Sequence, residues 1–262
     1  MRAQTAPKPD NEALPSGMRP NEDALRADPE AGCFAVADGA GGTGIFSGQW
    51  AQYLLDQLPP TPIRTYAELT AWLDAIWEAF YVPKEAELQG DGIRRNKFYD
   101  EGSAATLLAI WPGKDGVAWM SYGDSNLLWI SAKGEYKGSF PATQLHEFTA
   151  FPSLVNWNDT WMHPSGFRSG ILQPDKGDQL LLATDALAQA LLLWAKPESR
   201  HEKLPSGKIA DLQARFREHP PQTSLLHLLE ELNQQFVQTL RILHTEGYLL
   251  NDDCTLVGYA IA

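Results

Sequence analysis

"FAVADGAGGTG", residues 34–44, is the stretch on which the reading of the whole chain turns. An apolar run, Phe34-Ala35-Val36-Ala37, ends on Asp38, and five of the next six residues are Gly or Ala. With Gly32 and Cys33 ahead of it, the run predicts a short buried strand over residues 32–37. Strand tips are where a rigid scaffold presents polar groups to solvent, so Asp38 is a candidate site residue. Asp before Gly is also an ordinary turn dipeptide. The glycines could equally form a phosphate-cradling loop, but "GAGGTG" lacks the Lys-Ser/Thr of a P-loop, and G-x-G-x-x-G is not matched in its usual dinucleotide context.

Working outward, "GQWAQYLLDQL" after Ser47 predicts a helix stopped by Pro59-Pro60. Leu69, Trp72, Leu73, Ile76, Trp77 and Phe80 recur at three- and four-residue spacing and predict a second helix. Residues 84–101 read as an exposed connection. The period then changes, and residues 105–136 read as three strands with turns at Pro112-Gly113, Asp115-Gly116, Gly123-Asp124 and Lys133-Gly134. Residues 137–177 lack a clear pattern, carry Trp157 and Trp161, and are expected to form a flap. "DKGDQLLLATDALAQALLLW" reads as turn, buried strand, aspartate and helix. Leu225, Leu228, Leu229, Leu232, Phe236, Leu240 and Leu243 predict one long amphipathic helix, and "NDDCTLVGYAIA" a loop and a last strand. Residues 1–16, rich in Pro, Ala and charge, are expected to be a loose arm ahead of one α+β domain over 17–262.

Composition narrows the function. With 21 basic and 33 acidic side chains among 262 residues, the net charge of -12 repels nucleic acid and anionic membrane. No run of about 18 apolar residues occurs, and the N-terminus has no apolar leader core, so the expectation is a soluble, cytoplasmic protein. Cys33 and Cys254 match no zinc spacing and read as two inert thiols in a reducing compartment.

Asp23, Asp38, Asp124, Asp185 and Asp252 share one kind of place, a loop beside an apolar element. Carboxylates converging at strand tips repel one another unless a cation neutralises them, and hard, oxygen-preferring ions such as Mg²⁺ or Mn²⁺ suit them. Taken singly, each is as readily a solvated turn residue.

Their order adds to this. "RPNED", "VADGAGG", "GSAAT", "SYGDSN", "LLLATDAL" and "NDDCTL" occur in the order of the motifs of the type 2C metal-dependent Ser/Thr protein phosphatases, and the chain resembles a divergent, bacterial-like member of that family over residues 17–262. The resemblance implies a four-layer α-β-β-α sandwich of two antiparallel sheets flanked by helices. It also implies hydrolysis of phosphoserine or phosphothreonine in proteins by direct attack of a water or hydroxide bridging two Mg²⁺ or Mn²⁺ ions. Carried over by position, Asp38 would bridge the two ions with the Gly39 carbonyl as a further ligand, and Asp185 and Asp252 would ligate one of them. Glu22 would hold the other ion, Asp23 would orient water, Asp124 would help bind a third ion, and Arg19 would grip the substrate phosphate. The implied partner is a phosphorylated protein, a Ser/Thr kinase or its target, met by a monomer.

The pattern departs at named places. Arg19 sits one residue closer to Asn-Glu-Asp than the family's arginine, Asn126 replaces the arginine of G-D-S-R, and Ala186 replaces the glycine of S-D-G. Ala40 stands where many eukaryotic members carry a histidine general acid; His146 and His163 lie in the flap region. The core carboxylates Glu22, Asp38, Asp185 and Asp252 are all kept, which favours an active enzyme over a catalytically inactive module of the same fold that binds a phosphoprotein or kinase.

Overall fold

The computed structural model describes residues 3–9, 21–158 and 162–262. Its described residues form two compact units interleaved along the chain, one drawn from Met1–Asn21, Asp124–Phe151 and Pro174–Ala262, the other from Glu22–Gly123 and Pro152–Gln173. Each unit has its own antiparallel sheet and its own helices. Among the described residues, no helix is long and apolar enough to cross a membrane.

The Glu22–Gln173 unit is built on β3 (Cys33–Gly44), which pairs β2 (Asp23–Asp28) and β5 (Leu107–Gly113), and further along β4 (Ser103–Ala105). From β5 the sheet continues through β6 (Gly116–Tyr122) to β10 (Phe167–Leu172), and from β4 to β9 (Val155–Asn156). Strand alternation turns Cys33, Ala35 and Ala37 toward α1 (Ser47–Gln57) and α2 (Tyr66–Glu87), where they pack with Trp50, Leu54, Leu55, Leu69 and Phe80. Small residues on the strand let those helices lie close, and each fully buried Leu contributes roughly 1.5–3 kcal/mol. Both helices stand where the periodicity put them; Thr65 and Glu68 close a capping box at the start of α2.

Residues 84–101, expected as an exposed connection, instead complete α2 and form α3 (Gly92–Glu101). Asp91 caps α3 by accepting the Arg94 amide, and Phe98 is fully buried against the rings of Phe46, Tyr81 and Trp157. One buried aromatic on an otherwise polar helix leaves no periodic stripe to read in the sequence. Trp157 is thus packed in that aromatic cluster; Trp161 lies outside the described residues.

The other unit has a five-stranded sheet ordered β1 (Gln4–Ala6), β12 (Cys254–Ala260), β11 (Gln179–Ala183), β7 (Asn126–Ile130), β8 (Tyr136–Phe140). Leu128, Ile130, Leu181, Ala183 and Leu256 face a core shared with α4 (Asp185–Ala195), α5 (Lys208–Glu218), α6 (Leu225–Gln234) and α7 (Phe236–Thr245). The one long C-terminal helix is corrected to two. Gln235, at φ -140° and ψ 55°, breaks it, yet Leu232 and Phe236 keep four-residue spacing across the break, so the apolar pattern runs on uninterrupted.

Two further expectations change. Residues 137–177 hold β8, β9 and β10 rather than an irregular stretch, because short edge strands such as "FRSGIL" are ordered by ladder hydrogen bonds to β6 and not by an apolar run. The described part of the expected loose arm is pinned as β1, with Gln4, Thr5 and Ala6 in register with Leu256, Thr255 and Cys254.

Candidate functional site

In the unit that carries Asp38, the site is set by strand register. Asp23 and Asp38 are direct cross-strand partners, so their carboxylates lie on one face of the sheet, opposite the face packed on α1 and α2. Asp23 is buried and Asp38 half-buried. Thr106 holds the Asp38 backbone from both sides: its Oγ1 accepts the Asp38 amide at 3.0 Å, and its own amide donates to the Asp38 carbonyl at 2.8 Å. Thr106, the last residue of "GSAAT", has no role in the sequence reading beyond that motif.

Glu22 is drawn onto the glycine run. The Gly39 amide donates to the Glu22 carbonyl at 3.1 Å. A Cβ on Gly39 would come 2.6 Å from that carbonyl oxygen and 2.8 Å from the Gly48 amide nitrogen at the start of α1, so three backbone segments meet there at a spacing only glycine permits. At Gly41 a Cβ would fall 2.0 Å from the Glu22 Oε2, which places the Glu22 carboxylate over the glycine. Gly42 has open space around it. Ser47 Oγ donates to the Ala40 carbonyl at 3.0 Å and ties the end of the run to α1.

In the other unit, the β7, β11 and β12 registers bring three carboxylates to one end of the sheet. Ala183 pairs with both Asn126 and Leu256, so β7 begins, β11 ends and β12 begins at the same tip. Asp124, Asp185 and Asp252 sit in the segments just beyond it. Burial, and then the charge of Asp252, push the Asp124 carboxyl up to about 6. Asp185 opens α4; its Oδ1 accepts the Ala186 amide at 2.6 Å, and its Oδ2 takes the Gln189 Nε2 at 3.5 Å. Thr184, fully buried, exchanges hydrogen bonds with Thr255 and so locks β11 to β12 beneath that tip. Asn126, where the resemblance expects an arginine, donates to and accepts from the Ala142 backbone, a buried structural link.

Asp252 is half exposed and meets a cation from within the chain: Lys8 Nζ stands 3.0 Å from its Oδ1. Neither Lys8 nor Asp253, which accepts the Lys8 amide at 2.8 Å, was singled out from the sequence. No local pattern could have found a contact between residues 8 and 252. Of the candidates, Glu22, Asp23, Asp38 and Gly39 share one unit and Asp124, Asp185 and Asp252 the other, while Arg19 lies outside the described residues. Among the described residues, no three His, Cys, Asp or Glu side chains are gathered as a metal centre would hold them. His146 Nδ1 faces Glu202 at 3.7 Å, and the His163 ring bonds Ser165.

No family model matches the sequence, and no curated protein matches it. Solved structures do: over its whole length the chain has the fold of the bacterial serine/threonine phosphatases. It is similar to a bacterial serine phosphatase at 15% identity and TM-score 0.53, with 100% of this chain and 98% of that one covered. A serine/threonine phosphatase of S. agalactiae follows at 16% and 0.52, covering 99% and 98%. PppA, described as a key regulatory component of T6SS in Pseudomonas aeruginosa, is 19% identical at TM-score 0.51, covering 100% and 99%. At such identities the likeness is one of fold, and function has to be argued from the residues.

Proposed function

We propose that the chain is a divalent-cation-dependent phosphatase that hydrolyses phosphoserine or phosphothreonine in proteins. The observation that carries the reading is the cradle at the end of β3, where the Glu22 carboxylate fills the space above Gly41 while Asp38 is held beside Asp23 by register and by Thr106. The donor set, Glu22, Asp38, the Gly39 carbonyl, Asp124, Asp185 and Asp252, is all oxygen and suits Mg²⁺ or Mn²⁺ rather than a thiolate-seeking metal. If bound, two such ions, with Asp124 helping to hold a third, would supply positive charge and an acidified water to phosphoryl transfer.

The chain's own residues position the substrate and the attacking water. Glu22 and Asp38 present oxygens from a backbone fixed by Gly39 and Thr106, so little reorganisation is needed on binding. Asp23, beside Asp38, accepts a hydrogen bond from attacking water and orients it. Arg19 offers a planar fork to two phosphate oxygens. Ala40 has no proton to give the leaving alkoxide, so that proton comes from water or another group. Residues 17–262 form the phosphatase-like domain, acting as a cytoplasmic monomer on a phosphoprotein, a Ser/Thr kinase or its target.

The test is hydrolysis of p-nitrophenyl phosphate and of a phosphoserine peptide, with Mn²⁺ and with EDTA. Mn²⁺-stimulated, chelator-sensitive turnover that Asp38→Ala abolishes is expected. No metal-dependent turnover, or full activity in Asp38→Ala, overturns the reading. The Lys8–Asp252 ion pair favours a second reading, a non-catalytic module of this fold that binds a phosphoprotein. Normal turnover lost in Asp185→Asn excludes it.

A further inference from the structure

Three threonines form one row across three neighbouring strands. Thr5 on β1 is the direct partner of Thr255 on β12. Continuing the β11–β12 register one step past the Ala183–Leu256 pair sets Thr184 opposite Thr255. Their neighbours Ala6, Leu256 and Ala183 face the helices, so the row lies on the other face of the sheet. It is the last rung before the tip, where Asp185 follows Thr184 directly and Asp252 stands three residues ahead of Thr255. Thr184 and Thr255 are fully buried, while Thr5, on the edge strand, is exposed.

Hydrogen bonds run along this row and leave the sheet at its edge. Thr184 Oγ1 accepts the Thr255 amide at 3.0 Å, and the Thr255 hydroxyl donates to Thr5 Oγ1 at 2.6 Å. A hydroxyl oxygen has two acceptor lone pairs, and Thr5 offers its second to Asn21 Nδ2 at 2.7 Å. All four residues belong to one unit. In sequence, one end of this relay immediately precedes Asp185, and the other immediately precedes Glu22 and follows Arg19 by two residues. Docking of β1 on the sheet is served by its ladder to β12 and by Gln4, whose Nε2 donates to the Leu232 and Asn233 carbonyls of α6 at 3.2 Å each. The Asn21 contact adds nothing to the ladder; it fixes the chain that enters Glu22.

We infer that Thr5 is a positioning residue for the proposed phosphatase site, acting through Asn21 on the backbone that enters Glu22 and through Thr255 and Thr184 on the backbone that enters Asp185. The inference rests on the phosphatase reading and gives the N-terminal strand a part in it. Carboxylates carried on a fixed backbone have less to reorganise when a cation binds. Wild type, Thr5→Val, Thr5→Ser and Gln4→Met, each as the full chain, are compared by Mn²⁺ calorimetry, thermal melting and p-nitrophenyl phosphate hydrolysis. Thr5→Val keeps the side-chain shape and removes the shared acceptor. It is expected to weaken Mn²⁺ binding about tenfold, the low end for losing a group that supports metal ligands, with hydrolysis falling in step. Thr5→Ser restores the acceptor and recovers most of that affinity. Gln4→Met loosens the same strand and lowers the melting temperature while leaving Mn²⁺ affinity as in wild type. Equal Mn²⁺ affinity in wild type and Thr5→Val, or a serine variant no better than valine, overturns the inference. An equal loss in Gln4→Met also overturns it, because docking of β1 alone is then responsible. If wild type binds Mn²⁺ but hydrolyses nothing, the phosphatase reading falls and the Mn²⁺ affinities still decide the role of Thr5. If wild type binds no Mn²⁺, both fall.

Discussion

Lys8 reaches across from the end of β1 to place its ammonium 3.0 Å from Asp252 Oδ1, while its backbone amide is fixed on Asp253. The pair is partly exposed, 26% and 50% at the two side chains, so it is worth no more than about 1 kcal/mol. Its interest lies in occupancy. An ammonium on a carboxylate oxygen competes with any other cation for that oxygen. Lys8→Ala is therefore expected to tighten Mn²⁺ binding by up to about fivefold at low salt, with the advantage shrinking as ionic strength rises. Calorimetric titration of Mn²⁺ into both proteins checks it; equal or weaker affinity in Lys8→Ala contradicts it.

Gly41 and Gly42 are adjacent, yet only one lies under a carboxylate. Gly41→Ala pushes a methyl group into Glu22, whose flexible side chain moves aside, so the fold survives and Glu22 loses its position. The expected result is an unchanged melting temperature with metal-dependent activity reduced about 10–100-fold, as for loss of a metal ligand's support. Gly42→Ala, with open space around it, should match wild type in both measurements. Equal activity in the two variants would falsify the placement of Glu22.

Thr106 is almost fully buried and pins Asp38 through its hydroxyl. Thr106→Val keeps the shape but leaves the Asp38 amide without that acceptor, at a cost of about 1–3 kcal/mol. Thr106→Ser restores the acceptor and should recover most of the stability and activity. Urea denaturation of the three proteins reads the first and phosphatase assays the second; a serine variant no better than valine would show that the hydroxyl is not what matters.

Cys33 is fully buried, and burial pushes its thiol from 9.0 up to about 11. The folded state therefore holds a proton that the unfolded state releases. The stability from burying a neutral thiol is complete below about pH 9 and is lost as pH climbs toward 11. Cys254 is buried as well. Neither cysteine should react with a thiol reagent in the native protein at pH 8, and both should in urea. Chemical denaturation across pH 8–11 should show wild type losing stability relative to Cys33→Ala over that window; parallel curves would remove the basis for it.

The strands and helices readable in the sequence were those whose burial repeats with a simple period, as at Val36, at Leu69 and Leu73, and through "QLLLA" into α4. Elements held by one contact or by a neighbour's ladder were not readable. α3 depends on Phe98 meeting rings from residues 46, 81 and 157, and β1 depends on an edge of β12 that lies at the far end of the chain. The candidate carboxylates were identified by type and order, whereas Thr106, Lys8 and Gln189 were not, because a threonine, a lysine or a glutamine gains its role only from what folding sets beside it.

Local chemistry determined that an apolar strand segment leads into Asp38 and that the residues after it are small. The strand expected to stop at residue 37, however, runs on as β3 to Gly44, held by pairing with β4 rather than by an apolar run. Only the folded chain decided which glycine matters. Gly39 and Gly41 carry Glu22, while Gly42 faces open space. It also decided that Asp23 stands opposite Asp38, that Thr5 joins Thr255 to Asn21, and that an ammonium from residue 8 reaches Asp252. Those facts come from register and long-range packing, where residues far apart in the chain are brought within a few ångströms and no window of sequence contains both partners.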